Sequence, residues 1–216
     1  MHETPTRRQV LAGLGAGGTA ALAGCSALTG SDSPAGDQLD APVKGDPEAG
    51  VTLAVYEDFL CPACRAYDTQ VYPELATEFV DPGRIRYEHR DFPLSVHEPG
   101  ASQAANAARA VQDEAGDEAF WAYAARLFAR QGETRSSGDV PAVCADIANV
   151  QGFDAEAVES AAREERYEAT VSADRQSAQD LGLPGTPSFV IDGDPVTFEQ
   201  GDNPVQVLRS TLEERL

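Results

Sequence analysis

Cys61 and Cys64 are the residues of this sequence best suited to chemistry, because only Pro62 and Ala63 separate the two thiols. An apolar run ends just before the pair and a helical pattern follows it. This order predicts Cys61 at the N-cap of a helix and Pro62 at its first position, where a missing N–H costs nothing. The unpaired N–H groups and the positive dipole end of the helix would stabilise a thiolate. We therefore expect Cys61 to attack and the more shielded Cys64 to resolve the mixed disulfide.

The same two cysteines have two less reactive interpretations, a zinc half-site and a structural disulfide. A structural zinc ion needs a second pair of ligands, and Cys25, Cys144 and the three scattered histidines do not form one. The order of strand, CxxC and helix favours a redox-active pair over an inert disulfide. We expect no metal and no other cofactor.

A second feature lies far along the chain, where residues 183–187 (LPGTP) precede a short apolar run. Pro187 opens a predicted strand after a flexible glycine. The Thr186–Pro187 bond is therefore a candidate for the cis form, which about 5–6% of X–Pro bonds adopt. Taken alone, the segment predicts only a loop, but its place after a CxxC helix and a long helical stretch supports the redox interpretation.

Three separated segments resemble the DsbA-like thiol–disulfide oxidoreductases. They are residues 56–64 (YEDFLCPAC), residues 89–94 (HRDFPL) with the alanine-rich helix that follows, and residues 185–189 (GTPSF). Aromatic pairs at residues 120–121 and 127–128 add to the likeness. The segments occur in the family's order, and the resemblance covers roughly residues 45–216.

The resemblance implies a thioredoxin-like α/β fold with an inserted helical subdomain at about residues 98–181. It also implies that Cys61 is the attacking cysteine, Cys64 the resolving one and Pro187 a cis-proline that packs against them. In this family the residue before that proline, here Thr186, offers backbone groups to an extended substrate segment, which is a form of β-augmentation.

Two positions depart from the family. Strongly oxidising members have a histidine as the second residue between the cysteines, whereas this chain has Ala63, which removes a positive group near Cys61. Many members also have a buried glutamate six residues before the first cysteine, which helps to move the resolving thiol's proton; here that residue is Val55. Glu57 lies on the same strand face and either substitutes for that glutamate or is a solvated carboxylate at the strand end.

Four further side chains have more ordinary interpretations. Asp58 is expected to order the loop before the cysteines, and His89 and His97 are expected at the surface or at strand ends. Cys144 lies on an apolar helical stripe and is expected to be a small buried hydrophobe without a redox role.

The predicted elements place these residues. We predict strands at residues 51–56, 84–90, 188–191 and 196–198. We predict helices at residues 65–79, 101–111, 120–128, 140–147, 154–181 and 203–216, of which the first is interrupted or bent near Pro73 and the stretch at 154–181 contains a break. The order of strand, helix and strand, then a helical block, a hairpin and a closing helix is typical of a thioredoxin-like sandwich with an insertion.

The N-terminus, residues 1–24, is expected to be a targeting segment. Arg7 and Arg8 form a twin-arginine export pattern before an apolar stretch that is shorter than the roughly 18 residues needed to span a bilayer. Residues 22–25 (LAGC) resemble a lipobox, which implies a lipid on Cys25 and anchorage on the outer face of the cell membrane. A plain cleaved signal and an uncleaved anchor are the alternatives.

Residues 25–48 are rich in Ser, Gly, Asp and Pro, so we expect a flexible tether that cannot bury enough surface to fold. Residues 49–216 are then long enough for one domain with a sizeable core.

The formal net charge is −20, from 36 acidic and 16 basic residues, and Lys44 is the only lysine. An excess of carboxylates is tolerated when salt screens their repulsion, and the balance resembles proteins of extreme halophiles, a resemblance that implies a haloarchaeal source. A basic partner is the alternative explanation. The charge argues against nucleic-acid binding, which requires a basic patch.

These features together predict an exported, membrane-tethered thiol–disulfide oxidoreductase. Its expected partners are cysteine-containing exported proteins and an unknown membrane redox partner that re-oxidises it. A reductase or isomerase of the same fold is the alternative. A copper- or heme-delivery module that uses the dithiol as a soft metal site is less favoured, because delivery sites usually recruit Met or His and Met1 is the only methionine.

Overall fold

The computed structural model describes residues 38–216. The predictions for Arg7, Arg8 and Cys25 lie outside these residues.

Five strands of the described chain form one mixed sheet. They are β1 (Val43–Gly45), β2 (Thr52–Glu57), β3 (Arg86–Asp91), β4 (Ser188–Ile191) and β5 (Asp194–Pro195). The spatial order is β1-β3-β2-β4-β5. β2 and β3 are parallel, whereas β1 pairs antiparallel with β3, β4 with β2, and β5 with β4. The strand that leads to the cysteines therefore has a hydrogen-bonded neighbour on each side.

The alternation of side chains along β2 supplies both faces of the sheet. Leu53 and Val55 point into the main hydrophobic core. Ala54 and Tyr56 point to the other face, where they belong to a second cluster with Val190. Because both faces are covered, β2 is an almost continuous apolar run, as is typical of buried strands.

Eight α-helices lie in the described residues. They are α1 (Pro62–Gln70), α2 (Tyr72–Leu75), α3 (Gly100–Ala129), α4 (Gln131–Ser136), α5 (Val140–Gln151), α6 (Ala155–Glu164), α7 (Glu168–Asp180) and α8 (Pro204–Arg215). A π-helical turn, Ala76–Val80, follows α2. The interruption predicted near Pro73 in the helix over residues 65–79 is confirmed, because α1 ends before Tyr72 and Pro73 lies in the first turn of α2. Within residues 38–216 every helix is too short or too polar to cross a bilayer.

The helices α3 to α7 lie between β3 and β4 and form the helical insertion, close to the predicted bounds. α5 and α6 pack against α3 and against each other. The hydroxyl of Tyr123 on α3 donates to the carbonyl oxygen of Cys144 on α5 over 2.8 Å. The two helices predicted at residues 101–111 and 120–128 both lie in α3, which is interrupted between them by a kink at Gly116, whose φ of 82° and ψ of −176° are not helical.

The folded domain begins earlier than predicted, so the proposed tether of residues 25–48 is wrong for residues 38–48. β1 pairs with β3, and the N–H of Val43 donates to Asp117 of α3 over 2.9 Å. Gly45 ends β1 with a φ of 79°, and a Cβ at that position would lie 2.3 Å from Ile85 O. The sequence does not predict β1, because the strand has only three residues and the residues it pairs with are distant along the chain.

The predicted hairpin is also shifted. β4 has the expected bounds, but Asp194 and Pro195 pair with it in place of residues 196–198. Val196 keeps one bond, from its N–H to Phe189 O over 2.8 Å. The turn at residues 192–193 holds positive φ angles at Asp192 and Gly193, so the return strand starts immediately after it.

Candidate active site

The dithiol lies where β2 ends and α1 begins. Cys61 is the N-cap of α1 and Pro62 occupies its first turn, as predicted. Both cysteines are free thiols. Cys61 is 6% exposed and Cys64 is fully buried. The accessible sulfur is therefore the one at the positive end of the helix dipole.

The loop that carries Pro187 reaches the dithiol. The Cys61 thiol donates to Thr186 O over 3.4 Å, and the Thr186–Pro187 bond is cis. On the other side, the N–H of Asp58 donates to the Cys64 sulfur over 3.5 Å. The structure thus brings together segments that are more than 120 residues apart in the chain.

The two thiols have opposite acidities. The Cys64 thiol, the neighbouring Thr186 side chain and the N–H groups of Cys64 and Ala63 lower the pKa of Cys61 to about 5, although burial opposes the shift. Burial is the main reason why the pKa of Cys64 is raised, and the nearby Glu57 adds to it. At neutral pH Cys61 is a thiolate and Cys64 a thiol. The pKa of Cys61 is therefore low although residue 63 is an alanine and not a histidine.

Asp58 orders the loop before the cysteines, as predicted. Its Oδ1 accepts from the N–H of Leu60 over 2.7 Å, and its Oδ2 accepts from the N–H of Leu94 over 3.0 Å. His97 Nδ1 lies 2.7 Å from the same Oδ2. This buried carboxylate therefore ties the cysteine loop to the segment after β3.

Glu57 is 4% exposed, so the interpretation as a solvated carboxylate is wrong. Burial raises its pKa, against the effect of His89. The expectation of a surface or strand-end role for His89 is also wrong, because His89 is 1% exposed in the middle of β3. His89 lies 3.4 Å from Glu57 Oε2 and 3.1 Å from Asp91 Oδ1. Burial alone would lower the pKa of His89, but its hydrogen bonds to Asp91 and Glu57 raise it.

The charge pairs continue from β3 into the insertion. Arg109 of α3 is fully buried and donates to Asp91 over 2.6 Å and to Asp174 of α7 over 2.9 Å. Arg90 also donates to Asp174, over 3.0 Å. Burial alone would raise the pKa of Asp91, but the charge of Arg109 holds that pKa below its ordinary value. The network fastens the insertion to the strand next to the dithiol.

A small cavity of about 70 Å³ lies behind Glu57. Lys44, Asp68 and His89 also line it. Burial raises the pKa of Asp68 to about 6 and lowers the pKa of Lys44. Asp68 is half-buried, so the cavity connects the acid beside Cys64 with a group that reaches solvent.

Two side chains of α4 contact the cysteine loop and were missed from the sequence. Gln131 Nε2 donates to Phe59 O and to Cys61 O, both over 2.9 Å. Arg135 donates to Leu60 O. Gln131 follows Phe120, Ala124 and Leu127 at the spacing of one helical face, so a polar residue on that apolar stripe was the available signal.

An apolar groove of about 450 Å³ runs beside the dithiol. Its lining comes from α1, the Pro187 loop, β4 and the start of α8: Ala63, Ala66, Tyr67, Gln70, Val71, Pro187, Phe189, Phe198 and Pro204. The opening next to Cys61 thus offers both backbone groups and an apolar surface.

Cys144 lies away from this site. It is buried in the insertion, and burial raises the pKa of its thiol to about 12. The prediction of a small buried hydrophobe is confirmed. Within residues 38–216, no three His, Cys, Asp or Glu side chains are grouped so as to hold a metal ion.

Comparison with known proteins gives a family match over most of the chain. The family model described as Thioredoxin matches residues 38–212. Disulfide bond formation protein D of Bacillus subtilis is 25% identical over 151 residues, which are 69% of this chain and 67% of that protein. Na(+)/H(+) antiporter NhaA 1 of Salinispora arenicola is 34% identical over 151 residues, which are 70% of this chain but 21% of that protein. The similarity to the antiporter is therefore confined to about a fifth of its length.

Solved structures show the same fold. BdbD from Bacillus subtilis in its oxidised form has a TM-score of 0.71 at 23% identity and covers 81% of this chain and 92% of its own. DsbA of Chlamydia trachomatis has a TM-score of 0.68 at 20% identity, with 81% and 90% covered. The prediction of a thioredoxin-like α/β fold with an inserted helical subdomain is confirmed.

Proposed function

We propose that this chain, which belongs to the thioredoxin family, is a protein disulfide oxidoreductase that passes the Cys61–Cys64 disulfide to cysteines of exported proteins. The observation that carries the proposal is the Cys61 sulfur. It lies at the N-terminus of α1, beside the Cys64 thiol and 3.4 Å from Thr186 O. The name of the Bacillus subtilis relative, disulfide bond formation protein D, supports the same activity.

The transfer begins from the oxidised pair. A substrate thiolate attacks the Cys61 sulfur, the Cys61–Cys64 bond breaks, and Cys64 leaves with the electron pair. A second substrate thiolate then attacks the substrate sulfur of the mixed disulfide, and Cys61 leaves as a thiolate. The substrate ends as a disulfide and the chain holds the two electrons. A leaving thiol with a low pKa leaves faster, and the pKa of Cys61 is about 5.

Cys64 needs a proton when it leaves, because its pKa is raised. Glu57 is the buried acid beside it, and its own pKa is raised by burial, so it can carry a proton towards neutral pH. The cavity that Glu57 shares with Asp68 then offers a route for exchange with solvent. Glu57 thereby takes the place of the glutamate that the family has at the position of Val55.

The substrate segment lies along the Pro187 loop in this proposal. Thr186 O lies 3.4 Å from the Cys61 sulfur, and in the oxidised pair that sulfur has no proton to donate, so this carbonyl is free to accept from the backbone of the substrate. Backbone pairing at Thr186 and burial of apolar side chains in the groove beside Phe189 would hold an extended peptide.

The direction of electron flow is that of an oxidase. A disulfide couple is strongly oxidising when its reduced form is stabilised, and a Cys61 thiolate held by Cys64 and by backbone N–H groups stabilises the reduced form. A membrane redox partner is needed to re-oxidise the dithiol. A reductase of the same fold is the alternative outcome of the measurement below.

The location belongs to the same proposal. The twin-arginine pattern at Arg7 and Arg8 and the lipobox that ends at Cys25 support export and a lipid anchor on the outer membrane face. The net charge of −20 supports a protein adapted to high salt. Mass spectrometry of protein extracted from membranes is expected to find a lipid on Cys25, and an intact Met1 would exclude the lipobox.

The activity is tested with a reduced two-cysteine model protein and the oxidised chain in high salt. Wild type is expected to form the substrate disulfide, Cys61→Ser to be inactive, and Cys64→Ser to accumulate mixed disulfides once activated at Cys61. Cys144→Ala is the matched control and is expected to keep full activity, since its thiol is buried in the insertion and burial keeps it protonated. Disulfide transfer by Cys61→Ser at the wild-type rate would refute the assignment.

The reduction potential decides the direction. A value near about −120 mV supports an oxidase, and a value near about −270 mV supports a reductase. The measurement is equilibrium with a glutathione buffer in the same high salt.

A further inference from the structure

Gln131 makes an unusual pair of contacts for a residue of the helical insertion. Its side chain is 3% exposed, and its one NH₂ group donates to both Phe59 O and Cys61 O over 2.9 Å. Both protons of the amide are therefore used on the loop that presents the attacking sulfur. Among the described residues, no backbone N–H of a turn, loop or helix cap donates to Phe59 O.

Arg135, one turn further along α4, donates to Leu60 O. Three successive carbonyl oxygens, those of residues 59, 60 and 61, thus receive their side-chain donors from one short helix. Cys61 O also accepts from the N–H of Arg65 over 3.2 Å, which is the first hydrogen bond of α1. The side chains of α4 therefore donate hydrogen bonds to the backbone where α1 begins, next to the thiolate.

These contacts bear on the thiolate in two ways. They hold the backbone of the loop, so that the Cys61 sulfur stays where the N–H groups of Ala63 and Cys64 stabilise its negative charge. They also neutralise the negative ends of carbonyl dipoles near that sulfur. Unpaired carbonyl oxygens in a buried site would oppose an anion, and electrostatic effects are large where water is excluded.

We propose that Gln131, assisted by Arg135, is a positioning residue that keeps Cys61 ionised, so that the helical insertion sets the acidity of the attacking cysteine. This inference rests on the proposed disulfide exchange. It assigns to the insertion a part in the chemistry in addition to covering the sheet.

A matched residue, Gln112, allows an effect of Gln131 on the acidity of Cys61 to be distinguished from a purely structural role. Gln112 on α3 is also a buried glutamine whose Nε2 makes two hydrogen bonds, to Asp40 O and Asp117 Oδ1, each over 3.0 Å. Its partners belong to the start of the domain and to α3, not to the cysteine loop. Gln131→Leu and Gln112→Leu therefore each remove two hydrogen bonds donated by Nε2, at different places in the fold. Gln112→Leu also removes the bond that its Oε1 accepts from Arg109 over 2.8 Å, so it is the more severe structural control.

The experiment measures the Cys61 thiolate by its absorbance near 240 nm against pH in the full chain, together with unfolding by urea. Gln131→Leu is expected to raise the pKa of Cys61 by about one unit, which is a tenfold fall in its acid dissociation constant, and to lower the equilibrium constant for oxidation of a thiol substrate. Gln112→Leu is expected to lower stability and leave the pKa unchanged. Equal pKa values in wild type and folded Gln131→Leu would overturn the inference.

A second variant covers the case in which Gln131→Leu does not fold. Arg135 is exposed, so Arg135→Leu is expected to fold and to raise the pKa of Cys61 as well, and an unchanged value there would overturn the inference. The proposed function has a separate outcome. If wild type transfers disulfides and neither α4 variant alters the pKa, only the role of α4 is refuted; if wild type transfers none, the proposed function itself fails.

Discussion

The low pKa of Cys61 predicts a pH dependence of stability that is specific to the reduced protein. The pKa is about 5 in the folded chain against 9.0 for an unperturbed thiol. A group whose pKa is depressed by folding contributes stability that is fully present above the unfolded pKa and is lost as the pH falls through the folded pKa. The contribution of Cys61 should therefore shrink from pH 9 towards pH 5. In the disulfide form no sulfur titrates, so this contribution is absent.

The size of the effect follows from the two pKa values. Each pKa unit corresponds to about 1.4 kcal/mol. At pH 7, the unfolded thiol is protonated and the folded one ionised, two units above a pKa of about 5, so the thiolate stabilises the reduced fold by about 2.7 kcal/mol. At pH 5 the contribution is only about 0.4 kcal/mol. The reduced wild type should therefore gain about 2 kcal/mol relative to Cys61→Ser between pH 5 and pH 7.

The assay is urea unfolding of reduced wild type and reduced Cys61→Ser at several pH values and one salt concentration. Titration of acids that do not interact with Cys61, such as Asp68, occurs in both proteins and cancels in the difference. Cys144→Ala should follow wild type at every pH, because its thiol is protonated throughout this range. A difference between wild type and Cys61→Ser that is constant from pH 5 to pH 8 would refute the assignment of a thiolate to Cys61.

Two further predictions concern the buried charges next to the dithiol. Asp91→Asn removes the carboxylate that pairs with buried Arg109 and should cost about 3–5 kcal/mol of unfolding free energy. Asp139→Asn, at an exposed pair with Arg163, should cost much less because solvent screens that pair, and similar losses in urea titrations would contradict the burial argument. Glu57→Gln should slow the formation of the mixed disulfide from the oxidised chain about 100-fold, because Cys64 then leaves without a proton donor. Acid quenching and mass measurement follow this step, and an unchanged rate would mean that another group supplies the proton to Cys64.

The position of the dithiol was predictable because its signals are local. An apolar strand, a CxxC segment and a proline at the first helical position lie within a few residues, and each restricts the backbone in the same way. The bounds of β4 were predictable for a similar reason, since Pro187 and the turn at residues 192–193 delimit it. The short strand β1 was not, because it exists only through its pairing with β3 and its contact with Asp117.

The buried side of β3 shows a second limit of sequence reasoning. Residues 86–91 (RYEHRD) alternate charges and look like a solvated strand, yet His89 and Asp91 are buried. They can be buried because Arg109 and Glu57 supply matching charges, and burial of a charge is tolerated only where such partners are present. Since Arg109 lies in the insertion, the sequence of β3 alone does not indicate the ion pair between Arg109 and Asp91.

Ala63 shows how the chemistry of a motif can survive a side-chain change. From the sequence, the loss of a histidine at this position argued for a weaker thiolate. The structure lowers the pKa of Cys61 mainly through the Cys64 thiol, and then through the Thr186 side chain and backbone N–H groups, including that of Ala63 itself. A backbone N–H does not depend on the side chain it accompanies, so the determinant is the geometry of the loop and the first turn of α1. That geometry is held by Gln131 from a separate part of the chain, and for this reason the acidity of the site cannot be inferred from the two residues between the cysteines.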